Sequence, residues 1–224
     1  MTRTRRFIAA VLGSALLVTG LIGPALAGET DTPGVYEPGS TPLGASYGIW
    51  AERFGAFAFQ TPVGENPFVH PNECEDSVKV VKGAVLLTAS GGGHLIVSCP
   101  IPENTPILVT PGGNQGVLGV NGDTPDAVRH YVNASLAKYS GVRMKVDGEA
   151  VSDIDDFRTH TPGLFTLDMP GRNILGLPAG PAQLFIGGWF VMLKGFDEGT
   201  HTVYTHDILD DGTVASVTFH LTAT

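Results

Sequence analysis

Residues 200–222 read THTVYTHDILDDGTVASVTFHLT, and this stretch decides the fold. Val217, Phe219 and Leu221 alternate with Thr218 and His220. An extended strand with that pattern buries one face and wets the other, as in an antiparallel sheet covered on one side. Thr200 to Ile208 is a second run of the same kind, and Asp210-Asp211-Gly212 has the residues of a tight turn. The two runs are expected to form a β-hairpin. Just before them, Phe196-Asp-Glu-Gly-Thr-His201 has the spacing of a Greek-key corner, with His201 in the position of the corner's ring.

Working outward, the same short-strand texture continues upstream. Val142, Met144 and Val146 alternate before the turn Asp147-Gly148. Phe157–Thr161, Leu164–Leu167 and Trp189–Leu193 are further strand candidates, as are Gly83–Thr88, His94–Cys99 and Thr105–Thr110. Ser90-Gly91-Gly92-Gly93 reads as a hairpin connection, and the Gly- and Asn-rich stretch from Pro111 to Asp123 as a loop. The composition agrees: the 224 residues include 30 Gly and 16 Pro, with only 16% charged residues, which suits many strands joined by turns. Strands this short and frequent predict an antiparallel β-sandwich of Greek-key or immunoglobulin-like type.

Two helices interrupt the β pattern. Ser46 offers an N-cap, and Tyr47, Trp50, Phe54 and Phe57 follow at steps of three, four and three. That spacing is one helical face and predicts a helix near 46–60, closed before Pro62. The aromatic face either docks on the sandwich or serves as a ligand surface. Thr124-Pro125 reads as N-cap and first helical residue, with Asp126 favourable in the first turn. Val128, Tyr131, Val132, Leu136 and Tyr139 extend this second helix over 125–139.

The N-terminus reads as a targeting signal. Arg3, Arg5 and Arg6 precede an apolar run from Phe7 to Ile22, and Ala25-Leu26-Ala27 is a small-x-small cleavage site. This is the three-part layout of a secretory signal peptide. The organisation is then a signal peptide over 1–27, an extended arm over 28–45, and a single sandwich domain over 46–224. Localisation follows as secreted, extracellular or periplasmic. The net charge of −9 opposes nucleic acid as a partner, and no membrane contact is expected after cleavage. Cys74 and Cys99 are the two cysteines, and an even pair in an exported chain reads as a disulfide. The alternative is a catalytic thiol served by one of the seven histidines.

Several fragments together resemble a family of secreted bacterial β-sandwich, immunoglobulin-like proteins that have a signal peptide and an N-terminal aromatic helix. They are Trp50-Ala-Glu-Arg-Phe54, Glu65-Asn66-Pro67, Cys99-Pro-Ile-Pro102, Pro106-Ile-Leu-Val109, Asp147-Gly-Glu-Ala-Val151, Gly188-Trp-Phe-Val-Met-Leu193 and Gly199-Thr-His-Thr-Val203. The resemblance implies export, a helix ahead of the sandwich and a Cys before a Pro-rich strand. It implies no catalytic residue.

Candidate chemistry is sparse. Asp153, Asp155 and Asp156 are weak Ca²⁺ candidates, as are Asp207, Asp210 and Asp211; solvated turns are the alternative. Glu73, Glu75 and Asp76 read as solvated. His201 and His206 lie an odd number of residues apart and so fall on opposite faces of their strand. His206 and His220 could meet across the hairpin, and Trp189 could stack on a sugar. These three are the weak binding candidates. The chain has no phosphate loop, His-Glu-x-x-His or dinucleotide fingerprint, and no catalytic residue and no cofactor are assigned. The leading reading is a secreted, non-catalytic binding or structural module for an unknown extracellular ligand or protein. The alternatives are a secreted hydrolase with a loop-built acidic and His site, and a Ca²⁺-stabilised carbohydrate-binding module. Intact-mass measurement of exported protein is expected to give a chain beginning at Gly28; a membrane-retained species still carrying Arg3, Arg5 and Arg6 would contradict the signal-peptide reading.

Overall fold

The computed structural model describes residues 34–71, 73–88 and 93–224. The signal-peptide reading of 1–27 and the first part of the arm lie outside the described residues, as does most of the Ser90–Gly93 connection. In chain order the elements are α1 (Tyr47–Gln60), the single turn α2 (Cys74–Ser77), β1 (Val78–Val81), β2 (Ala84–Leu87), β3 (Gly93–Ile101) and β4 (Ile107–Val117). There follow α3 (Pro125–Leu136), β5 (Tyr139–Val146), β6 (Glu149–Ala150), β7 (Arg158–His160), β8 (Phe165–Met169), β9 (Gly180–Leu193), β10 (Gly199–Leu209) and β11 (Val214–Ala223).

The strands form two sheets, as a sandwich requires. One runs β1-β2-β4-β9-β7 with β8 also on β9, and the other runs β3-β11-β10-β5-β6. The β10–β11 hairpin is present, with Val203 opposite Phe219 and His206 opposite Ser216, and Gly212 takes the positive φ of 83° that its turn needs. The sheets are mixed rather than wholly antiparallel: β2 runs parallel to β4, and β3 runs parallel to β11. This changes the expected pairing around Ser90–Gly93, because β2 and β3 belong to different sheets and do not form a hairpin. The hairpin lies one step earlier, where Lys82 and Gly83 join β1 to β2 with φ of 51° and 82°, as a two-residue turn demands.

The second difference is β4. The stretch from Pro111, expected as loop, continues the strand to Val117, paired with β9 through Gly113 opposite Gly188. The glycines are needed because the backbones come together too closely for side chains. A Cβ on Gly188 would sit 2.5 Å from the Gly112 carbonyl oxygen and 2.8 Å from Gly113 Cα. Composition that looks like loop is here a strand crossing without room for Cβ atoms.

Both helices start where their caps say. Ser46 Oγ accepts the Ile49 N–H at 3.4 Å, and Thr124 Oγ1 accepts that of Ala127 at 3.2 Å. In α3, Val128, Val132 and Leu136 are buried, while Tyr131 is exposed. The helix ends at Leu136, short of the expected 139, and Tyr139 opens β5. The aromatic face of α1 docks inward: Trp50, Phe54 and Phe57 are all buried, and Phe54 meets Phe190 of β9 edge-on at 5.8 Å. Gly55 lets the helix approach, since a Cβ there would overlap Ile186.

The described part of the arm is held against the same region. Tyr36 N–H donates to Met192 O at 2.8 Å, Tyr47 Oη donates to Tyr36 O at 2.8 Å, and Trp50 Nε1 donates to Pro42 O at 3.0 Å. Burial pushes the Tyr47 phenol up to about 12, so it remains a donor throughout the ordinary pH range. Trp50 is fully buried and joins the arm, the helix and the core. Trp50→Ala is therefore expected to cost about 3–5 kcal/mol, read as a lower denaturation midpoint; an unshifted midpoint would mean that this face does not hold the fold.

Candidate functional site

The pairing of β4 leaves a gap. β2 accompanies β4 only as far as Leu87 opposite Val109, whereas β4 follows β9 on to Val117. Beyond Val109, among the described residues, no strand lies on the β2 side of β4. A bare strand edge invites unwanted pairing, and side chains occupy this one. Tyr139 Oη accepts the Gly113 N–H at 3.3 Å and donates to Gly113 O at 2.9 Å. Asn114 Oδ1 takes the Gln115 N–H at 2.7 Å, and Asn121 Oδ1 takes that of Val117 at 2.9 Å.

A cleft of about 420 Å³ opens at this edge, within the size range of small-molecule sites. Its lining is of two kinds. Phe54, Phe59, Phe68, Ile186 and Phe190 supply apolar surface from α1, the segment after it and β9. Thr110, Tyr139, Thr205 and Asp207 supply polar groups from β4, β5 and β10. The absence of a side chain at Gly112 leaves space here: a Cβ would lie 3.0 Å from the Tyr139 ring and 3.6 Å from Asp207 Oδ2.

Asp207 is half-buried. Burial pushes its carboxyl above the usual carboxylate range; the charge of His206 and the backbone N–H groups of Asp207 and Ala215 oppose this without cancelling it. Burial also raises the Tyr139 phenol, and the nearby Asp207 charge adds to that effect. Thr110 Oγ1 is buried and has no hydrogen-bond partner among the described residues. Asp207 was expected at a solvated acidic turn with Asp210 and Asp211. It instead follows Val203 and Thr205 on the inward face of β10, while the other two stay exposed at the hairpin tip. An acid at an inward position of an alternating strand was the available sequence signal.

The cysteine pair is placed as expected, and Trp189, the acidic turn and the histidine pair are not. Cys74 and Cys99 form a disulfide with Cα atoms 5.3 Å apart, which ties α2 to β3 and leaves no thiol to act as nucleophile. A closed loop of 25 residues corresponds to about 3 kcal/mol of stabilisation in the chain-entropy account. Trp189 is 3% exposed. It packs on Tyr139 at 5.2 Å under the Arg158 guanidinium, and its Nε1 donates to Asp155 Oδ1 at 3.1 Å. A buried ring offers no face to a sugar, which corrects its reading as a stacking platform.

Asp155 is thus committed to Trp189, and exposed Asp153 and Asp156 flank it without converging on a common point. The described His, Cys, Asp and Glu residues that do converge are His70, Glu73 and Asp76, with one ligand atom each inside 4.8 Å. Among the described residues this set is the metal-capable grouping, and the weak Ca²⁺ candidates Asp153, Asp155 and Asp156 form none.

His206 and His220 do not meet. The register sets His206 opposite Ser216 and Arg143, and His220 opposite Thr202 and Ser98. His94 Nδ1 contacts Ser216 Oγ at 2.7 Å, but that pair shares the outward row with His206, away from Asp207. His201 fills the corner position as expected. It stacks on Phe196 at 4.2 Å and bonds Asp197 O at 3.1 Å and Asp147 Oδ2 at 2.8 Å.

A carboxyl whose folded value is raised destabilises the fold once ionised, so the native state binds the proton more tightly than the unfolded chain. Stability is then lost as pH rises from the unfolded carboxylate value through the raised native one. Asp207→Asn removes that loss. The variant is expected to melt higher than the parent at pH 7, with the gain shrinking as pH falls below the ordinary carboxylate range. Thermal melts across that range check it, and a lower melting temperature at pH 7 would contradict it.

No protein-family model matches the sequence, and no curated protein does. Among solved structures the chain is similar to PbICP-C in its complex with falcipain-2, at 9% identity and a TM-score of 0.26, covering 63% of this chain and 98% of that one. It is also similar to EhICP2, a cysteine protease inhibitor from Entamoeba histolytica, at 12% identity and a TM-score of 0.24, covering 58% and 94%. Likeness this loose assigns no role, and the function is argued from the chain's own residues.

Proposed function

We propose that this chain is a secreted, non-catalytic binding module that takes a small amphipathic ligand in the cleft beside β4. The observation that carries the reading is the cleft itself: about 420 Å³, apolar and aromatic on one side and polar on the other. A concave, mostly apolar pocket with a few convergent polar groups is the usual form of a small-molecule site. Among the described lining residues, Asp207 is the single carboxyl group, with the Tyr139 phenol beside it. Hydrolysis by a carboxyl pair calls for a second acid at a set distance, and this favours binding over the hydrolase alternative.

Export is part of the same proposal. It is supported by the layout of residues 1–27 and by the disulfide, a bond that persists in oxidising compartments. No helix of the described residues is long and apolar enough to cross a membrane. Membership in the secreted bacterial β-sandwich family that the sequence resembles belongs to the proposal as well.

Ligand-observed NMR with a library of small amphipathic molecules tests the site. Saturable binders are expected, and they are expected to be lost in Ala215→Phe, which fills the cleft from β11 beside Asp207. Leu175→Trp fills it from the opposite wall and serves if the first variant melts early. A parent chain without saturable binders, or binders indifferent to both fillings, would overturn the proposal.

A further inference from the structure

We propose that the ligand of this cleft carries a cationic nitrogen, an alkyl- or arylammonium group, which pairs with Asp207 while its apolar body lies against Phe54, Phe59 and Phe190. The inference rests on the cleft being the binding site.

The first support is a carboxyl with no cation in the cleft lining. The ion pairs found among the described residues are His70–Glu73 and His201–Asp147, both away from the cleft. The described lining contains no Lys, Arg or His, so Asp207 faces the cleft without a cation. His206, its neighbour in sequence, points to the opposite face of β10 by strand alternation. The His206 charge and the backbone N–H groups of Asp207 and Ala215 offset the burial of this carboxylate only in part, and a ligand cation would offset more of it.

The second support is the sense of the hydrogen bonds. Tyr139 already spends its proton on Gly113 O and accepts from Gly113 N–H. It has no donor left for a ligand. Asp207 only accepts when ionised, and the orphaned Thr110 hydroxyl can accept as readily as donate. At Asp207 and Thr110 the wall therefore takes donors, while the Asn114 and Gln115 amides at its edge can supply them. An ammonium brings up to three and forms charge-assisted bonds roughly twice as strong as neutral ones. A carboxylate or phosphate ligand would meet the Asp207 charge with no cation to hold it. The aromatic lining favours the same choice, because ring faces attract cations and their alkyl substituents. A volume of about 420 Å³ limits the ligand to a short chain or a single ring system.

Isothermal titration of the full exported chain with hexylammonium, hexan-1-ol and hexanoate at pH 7 tests this. Hexylammonium is expected to bind at least about tenfold tighter than hexan-1-ol, with no binding of hexanoate. Asp207→Asn is expected to bring the ammonium-to-alcohol affinity ratio close to one; Asp207→Ser provides the same comparison if the amide rearranges the wall. Hexanoate binding as tightly as hexylammonium, or an ammonium-to-alcohol ratio unchanged in both variants, overturns the charge assignment. If ammonium and alcohol bind equally and both are lost in Ala215→Phe, the cleft stands and only its charge preference falls. If none of the three probes binds saturably, both readings fall together.

Discussion

The close crossing of β4 and β9 is the constraint on which the rest of this structure depends. At Gly113 and Gly188 the two backbones come too close to leave room for a Cβ. That approach allows β9 to be covered on both sides. α1 seats Phe54 against Phe190 on one face, and α3 packs Val128, Val132 and Leu136 around Phe185 and Trp189 on the other. A side chain at the crossing would push the strands apart and separate both helices from the core. Glycine costs conformational entropy in a strand, and here the contacts of two helices offset that cost.

The cleft follows from the same crossing. Because β4 tracks β9 to Val117 while β2 stops at Leu87, the sheet has a notch on one side of β4. The polar groups that a neighbouring strand would have paired are met by Tyr139, Asn114 and Asn121. A notch sealed by side chains resists strand addition and leaves room for something smaller. Tyr139 serves three purposes at once: it closes the edge, supports Trp189 and forms the cleft wall next to Asp207. Its burial and that of Asp207 raise both groups, and the Asp207 charge further disfavours that of Tyr139. Ionisable groups whose titration is shifted by burial cluster at functional sites.

Around this centre the chain is tied at several points. The Cys74–Cys99 disulfide joins the segment after α1 to the outermost strand of the second sheet. Asn66, fully buried, donates to Ala58 O and Thr61 O and accepts the Phe68 N–H, which fixes the exit from α1. His201 closes the corner before β10 through Asp147 and Asp197, so the strand that carries Asp207 enters the sheet in a set register. Of these ties, that of Asn66 reaches the cleft wall through Phe68.

Local chemistry was enough for the sequence to determine the elements that depend on near neighbours. The alternation of Val217, Phe219 and Leu221, the turn at Asp210-Asp211-Gly212, the caps at Ser46 and Thr124, and the inward stripe of Trp50, Phe54 and Phe57 all follow from spacing along the chain. The cysteine pairing was legible too, because a chain with two cysteines allows one intramolecular pairing. What only the tertiary structure decided depends on residues distant in sequence. The glycines of 112–116 read as loop until Gly188 is brought against them. Tyr139 reads as the end of a helical stripe until Gly113 offers it both halves of a hydrogen-bonded edge. Trp189 reads as an exposed ring until Asp155 and Arg158 cover it. Asp207 reads as one acid of a turn until the sheet turns it inward beside a notch made by a strand a hundred residues earlier. A period of two tells which residues share a face, but not what that face meets, and the site exists only where two such faces meet.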